Sequence, residues 1–164
     1  MELGMVGLGR MGANMARRLL RGGHAVTGFD PKAEARDAIA KDGAGSADSL
    51  QALVAALPAP RAVWVMVPAG KITDDTIDTL ASLLSPGDAI VDGGNSNYRD
   101  TLRRAAALQA RGIGFVDAGT SGGVWGLEQG YSLMVGGDNA TVERLRPVLE
   151  TLAPAKDRGW GHVG

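Results

Sequence analysis

Short apolar runs alternate along the chain with stretches whose hydrophobic positions recur every three or four residues. Leu3-Gly4-Met5-Val6 predicts a buried strand and Met11 to Leu20 a helix. His24 to Phe29 predicts a second strand that closes on Asp30. Pro31 is expected to open the next helix, because proline suits the first helical position, where its missing N–H costs nothing. A short helix is expected over about 49–57. Ala62 to Val67 is continuously apolar, the pattern of a parallel strand covered on both faces. A helix from about Asp74 to Leu84, a turn at Ser85–Asp88, the strand Ala89–Asp92, a basic helix from about Arg99 to Arg111 and the strand Ile113–Val116 come next. The strand Leu133–Val135 and a helix from about Ala140 to Leu152 complete the pattern.

This alternation predicts an α/β fold of the Rossmann type, a doubly wound, mostly parallel sheet with helices on both faces. With 164 residues the chain suits one domain, spanning 1–164. Hydrophobic residues make up 45% of it, enough for a core, which excludes global disorder. The 17 basic and 18 acidic side chains balance to a net charge of −1, which argues against a nucleic-acid surface. The absence of cysteine removes disulfides, thiolate metal sites and cysteine nucleophiles. The first residues lack the basic-then-apolar plan of a signal peptide, and no apolar run approaches the ~20 residues of a membrane helix. A cytoplasmic protein without membrane or metal is the expectation. The chain stops within the Gly-rich segment Gly159 to Gly164, which suggests a piece of a longer protein.

The 25 glycines gather in short motifs. Gly7-Leu8-Gly9-Arg10-Met11-Gly12 matches G-x-G-x-x-G between a predicted strand and a predicted helix, and Asp30 ends the next strand. That context marks a dinucleotide site. Gly7 permits the tight turn, Gly9 lets the backbone approach a pyrophosphate, and Gly12 allows close helix–strand packing. The plainer alternative is an ordinary Gly-containing strand–helix turn. A carboxylate at Asp30 accepts hydrogen bonds from the adenosine ribose and repels a 2′-phosphate, so NAD is favoured over NADP. Asp30 also suits a helix N-cap, and Lys32 is placed to attract a phosphate. Arg10 is read either as a partner of the pyrophosphate or as a solvated arginine.

Three further segments end successive strands: Val65-Met66-Val67-Pro68-Ala69-Gly70, Asp92-Gly93-Gly94-Asn95-Ser96 and Asp117-Ala118-Gly119-Thr120-Ser121-Gly122-Gly123. Open α/β sheets place ligands at such carboxyl ends. With Val124-Trp125-Gly126-Leu127-Glu128-Gln129-Gly130 and Met134-Val135-Gly136-Gly137, the chain closely resembles 6-phosphogluconate dehydrogenase (decarboxylating), in its short bacterial NAD-using form. The resemblance extends over the whole chain. It implies that Gly7, Leu8, Gly9, Arg10, Met11 and Gly12 hold the pyrophosphate and that Asp30, Pro31 and Lys32 line the ribose pocket. Val67, Pro68 and Ala69 are expected along the cofactor, Asn95 where nicotinamide and substrate meet, and Ser121, Gly122 and Gly123 at the substrate's carboxylate end.

Each of these has a plainer reading: Asn95 as a turn residue, Ser121 as a local cap and its glycines as a bend. Trp64 and Trp125 are expected to be packing residues, and His24 to sit on the turn before the second strand. The resemblance further implies oxidation of 6-phosphogluconate at carbon 3, loss of carbon dioxide from the β-keto acid and protonation to ribulose 5-phosphate. That is a step of the pentose phosphate pathway and of gluconate utilisation. The catalytic lysine and glutamate, and a C-terminal helical domain that makes the homo-oligomer, are expected beyond residue 164, so no catalytic residue is assigned here and the fragment alone is expected to be inactive. The alternatives are a β-hydroxyacid dehydrogenase of the 3-hydroxyisobutyrate type and a non-catalytic NAD-binding module.

Overall fold

The computed structural model describes residues 1–94, 96–122, 125–155 and 158–164. Along the chain run β1 (Glu2–Val6), α1 (Arg10–Arg21), β2 (Ala25–Phe29), α2 (Ala33–Lys41), β3 (Gly45–Ala47), α3 (Leu50–Ala56) and β4 (Ala62–Val65). Then come α4 (Lys71–Leu83), β5 (Ala89–Asp92), α5 (Tyr98–Gln109), β6 (Gly114–Ser121), α6 (Gly126–Gln129), β7 (Ser132–Gly136), α7 (Asn139–Leu152) and β8 (Trp160–His162). The strands form one sheet in the order β3-β2-β1-β4-β5-β6-β7-β8. All neighbours are parallel except β6 and β7, which pair antiparallel with Gly119 opposite Met134 and Ser121 opposite Ser132. The order is that of the doubly wound dinucleotide fold with two strands added at one edge.

Alternate residues of the central strands enter two cores, one on each face, as the two-residue period of a strand requires. Leu3, Met5, Trp64, Val91 and Val116 pack on one side with α1 and α7. Val6, Val63, Val65, Ile90 and Phe115 pack on the other with α3, α4 and α5. Helix α7 presents Val142, Leu145, Val148, Leu149 and Leu152, all buried, at the spacing of one helical face. Burying each such side chain contributes about 1.5–3 kcal/mol. Arg18 on α1 donates to the carbonyls of Thr151 and Ala153 at 2.8 Å each, tying α1 to the carboxyl end of α7. A cation is favoured there by the exposed carbonyls of the last turn.

The structure departs from the sequence pattern in several places. Pro31 lies before α2 and does not open it: the Asp30 carboxylate accepts the Lys32 N–H at 2.9 Å, and Lys32, still extended, is the N-cap. Helix α4 begins three residues earlier than expected, because Gly70, at φ 97°, turns the chain straight into it. Strand β6 runs on through Asp117 to Ser121, since pairing with β7 continues its ladder. The short elements β3, α6 and β8 carry too little hydrophobic periodicity to be read from sequence. The terminal Gly-rich segment is not bare, since β8 pairs with β7.

Candidate functional site

The carboxyl ends of β2, β1, β4, β5 and β6 lie side by side in the sheet, so the motifs that follow these strands share one edge. Gly7 leaves β1 at φ 95°, and its N–H donates to the Phe29 carbonyl at 2.9 Å. A Cβ on Gly7 would strike the Met66 carbonyl oxygen, and one on Gly12 would strike the carbonyl oxygen of Gly7. Glycine is required at both positions by contact with backbone that has no room to move. Around Gly9 the opposite holds: a Cβ there would meet nothing within 4 Å. Gly9 is the N-cap of α1, no side chain caps it, and the first turn holds no acidic residue. The amino end of α1 therefore offers uncapped N–H groups and positive dipole density to open space, the setting that suits a phosphate. An open cavity of about 440 Å³, lined by Leu8, Gly9, Arg10, Ala13, Asn14 and Arg17, lies beside the loop.

Asp30 closes this half of the site. Its Oδ2 accepts the Leu8 N–H and its Oδ1 the Lys32 N–H, both at 2.9 Å. Each oxygen keeps lone-pair capacity for a further donor. It does not cap α2, so the N-cap reading is set aside. Arg36 donates to the Asp30 carbonyl at 2.8 Å and holds the bend from behind. Pro31 and Lys32 are exposed beside it, and Arg10 is exposed on the loop; Leu8 is buried and Met11 half-buried.

The next wall is the stretch Val67, Pro68 and Ala69, half-buried then exposed. The buried Thr73 hydroxyl donates to the Pro68 carbonyl at 2.8 Å and pins it to α4. After β5 the chain turns at Gly93 and Gly94. A Cβ on Gly93 would overlap the Trp64 indole nitrogen and the Met66 sulfur, and one on Gly94 would lie 2.8 Å from the Val67 carbonyl oxygen. The two loops thus touch. Asn95 lies outside the described residues, as do Gly123 and Val124. Ser121 stands exposed at the end of β6, with Gly122 half-buried against the Tyr131 ring.

Beneath these loops lies a charge cluster that sequence reasoning did not assign. Asp92, fully buried, accepts the Gly94 N–H on Oδ1 at 2.9 Å and the Ser96 hydroxyl on Oδ2 at 2.6 Å. Arg104, also buried, donates through Nη1 to Asp92 Oδ2 at 3.1 Å and through Nε to Asp74 Oδ1 at 2.8 Å. These bonds from Arg104 and then Arg103 hold the Asp74 carboxyl below its ordinary range. Asp117 is the register neighbour of Asp92 on β6. Burial first, and the Asp92 charge second, push its carboxyl up, against a smaller opposing pull from Arg104. The available signal was an acidic residue closing an apolar strand, since a buried carboxylate demands a partner.

Trp64 is fully buried, as expected, whereas Trp125, also expected to pack, is 67% exposed in this chain. The Tyr131 ring fills the space under α6, where Gly126 has no room for a Cβ. His24 sits before β2, its Nε2 2.8 Å from the Thr151 hydroxyl, and burial lowers its pKa. Among the described residues no group of His, Asp or Glu side chains is arranged to hold a metal, and no helix is long and apolar enough to cross a membrane.

Comparison with known proteins agrees with this geometry. Residues 2–161 match the family described as the NAD binding domain of 6-phosphogluconate dehydrogenase. The chain is 46% identical over 164 residues to the NAD(+)-dependent, decarboxylating 6-phosphogluconate dehydrogenase of Haloferax volcanii, covering all of this chain and 54% of that protein. It thus spans about half the length of that relative. The solved 3-hydroxyisobutyrate dehydrogenase of Mycobacterium tuberculosis superposes with a TM-score of 0.86 at 32% identity, over 94% of this chain and 52% of that one. The 6-phosphogluconate dehydrogenase of Plasmodium falciparum, solved with NADP+ and with its substrate, gives 0.86 at 25% identity over 93% of this chain and 34% of that one. With the sheet order, the glycine contacts and these matches in hand, the chain belongs to the family of NAD(P)-binding domains of 6-phosphogluconate dehydrogenase.

Proposed function

We propose that this chain supplies the cofactor site, with NAD preferred, and part of the substrate site of a decarboxylating 6-phosphogluconate dehydrogenase. The observation that carries the cofactor reading is Asp30: both carboxylate oxygens are held by backbone N–H groups, of Leu8 and Lys32, beside the fingerprint loop. Fixed there, the carboxylate accepts ribose hydroxyls without reorganising and opposes an added 2′-phosphate by charge. The uncapped start of α1 receives the pyrophosphate through backbone N–H groups from Gly7 to Gly12, with Arg10 beside it. Val67, Pro68 and Ala69 line the path toward the reacting end. Asn95 serves that end and the substrate together, and Ser121, Gly122 and Gly123 donate to the substrate carboxylate. When bound, the nicotinamide cofactor accepts the electrons removed from the substrate alcohol. The residues that move protons, and the helical domain that completes the substrate site and the oligomer, are assigned to sequence beyond residue 164.

A second reading, a β-hydroxyacid dehydrogenase of the 3-hydroxyisobutyrate type, is favoured by the likeness to the Mycobacterium tuberculosis enzyme. Substrate screening of the longer protein separates the two.

Calorimetry on the 164-residue chain tests the cofactor assignment. NAD is expected to bind more tightly than NADP, and Asp30→Ala to narrow the gap. NADP binding equal to or tighter than NAD in the unsubstituted chain overturns it. The same chain is expected not to turn over 6-phosphogluconate, because each missing acid–base group typically costs ~10²–10⁴ in rate; robust NADH production would refute the division of labour.

A further inference from the structure

We infer that Arg104 is a positioning residue for Gly94 and Ser96 after β5, acting through Asp92 on the nicotinamide end of the cofactor site; this rests on the proposed placement of that segment. Arg104 is 3% exposed and Asp92 is completely buried. A buried ion pair is a poor way to gain stability, since well-packed apolar side chains of similar volume do as well or better. What this pair does accomplish is geometric. Both oxygens of Asp92 are committed to the loop, Oδ1 to the Gly94 N–H and Oδ2 to the Ser96 hydroxyl.

The carboxylate that grips the loop is itself held by Arg104 on α5, and Arg104 is held in turn by Asp74 on α4. The strand before the loop, the helix after it and the more distant α4 are thus joined through side chains at one turn. Gly94 backs onto the Val67 carbonyl, so any tilt of the loop changes how it meets the wall at 67–69. Asp117, the like-charged neighbour of Asp92, makes the single guanidinium more important, because without it two carboxylates face each other across adjacent strands.

The chemistry predicts a separable effect. ADP-ribose carries the adenosine and both phosphates of NAD but lacks the nicotinamide ring, so only NAD reports on the segment that Asp92 holds. Both are titrated by calorimetry into the 164-residue chain and into Ser96→Ala, Ser96→Thr and Arg104→Lys. Ser96 is used because its hydroxyl can be removed without leaving a buried charge unpaired. Ser96→Ala and Arg104→Lys are expected to weaken NAD about three- to tenfold, the effect of about one hydrogen bond, with ADP-ribose unchanged. Ser96→Thr, which keeps the hydroxyl, is expected to restore NAD binding. Equal losses for both ligands, or no loss for NAD, overturn the positioning role while leaving the cofactor site intact. An unsubstituted chain that binds ADP-ribose as tightly as NAD overturns the placement of the loop, and the inference with it.

Discussion

The two loops that meet at the edge of the sheet are built in different ways. The loop Gly7–Gly12 is shaped by backbone: positive φ at Gly7, glycine-tight contacts to Met66 and to its own carbonyls, and one nearby carboxylate, Asp30, accepting the Leu8 N–H. The loop after Asp92 is held by side chains, in a chain of contacts from half-buried Asp74 through the buried Arg104–Asp92 pair to the Ser96 hydroxyl. A backbone-built loop is specified by short local sequence and fails when a Cβ is added. A side-chain-wired loop is specified by residues on three elements and fails when one charge is removed.

Removing one charge should give the largest effect. Arg104→Ala leaves Asp92 buried without its counter-charge and next to Asp117, and breaking such a pair typically costs about 3–5 kcal/mol. Urea unfolding is expected to show a large drop in midpoint with the slope unchanged; a loss under ~1 kcal/mol would mean that the pair is solvated and the wiring is not real.

Adding one Cβ comes next. Gly7→Ala meets both an unfavourable positive φ, costing about 1–2 kcal/mol, and the Met66 carbonyl, an overpacking of about 1–3 kcal/mol. Here the ligand pattern sharpens the comparison: affinity for NAD and for ADP-ribose should fall together, unlike the Ser96 variants, where only NAD responds. Unchanged unfolding together with unchanged affinity for both would show that the turn at Gly7 yields easily.

The smallest effect has the opposite sign. Because the folded state raises the Asp117 pKa, it binds that proton more tightly than the unfolded chain does. Stability is therefore lost as pH rises from the ordinary carboxylate range through the raised folded value. Asp117→Asn should stabilise the protein at pH 7 by up to about 1 kcal/mol, the scale of a like-charge pair on adjacent strands, and should lose that advantage in acid. Asp74, lowered by Arg104 and Arg103, behaves inversely: its contribution is present above the ordinary range and disappears as pH falls through its depressed value. Thermal unfolding from pH 3 to 8 of both proteins checks this, and a constant difference across the range would deny Asp117 any titrating role.

Much of the fold was legible in the chain because it is written in local periodicity. The runs Leu3–Val6, Ala62–Val65 and Ala89–Val91 are apolar on both faces, as buried parallel strands must be, and the buried positions of α1 and α7 recur at helical spacing. The fingerprint glycines were legible for the same reason, since their constraint is backbone geometry within a few residues. Asp30 was visible as the end of β2, although its bonds to Leu8 and Lys32 were not. What the sequence could not disclose is which distant side chains share a buried space. Arg104 stands among several arginines on a helix that reads as basic, and only packing singles it out from exposed Arg103 one residue earlier. Trp125 departs from the expectation because apolar size favours burial only on average, and its indole is largely exposed in this chain. Strand order, the continuation of β6 into an antiparallel pair with β7, and the Asp74–Arg104–Asp92 wiring were decided by tertiary structure alone. Each depends on contacts between segments far apart in the chain, where burial removes water and turns the choice of partner into a matter of three-dimensional fit.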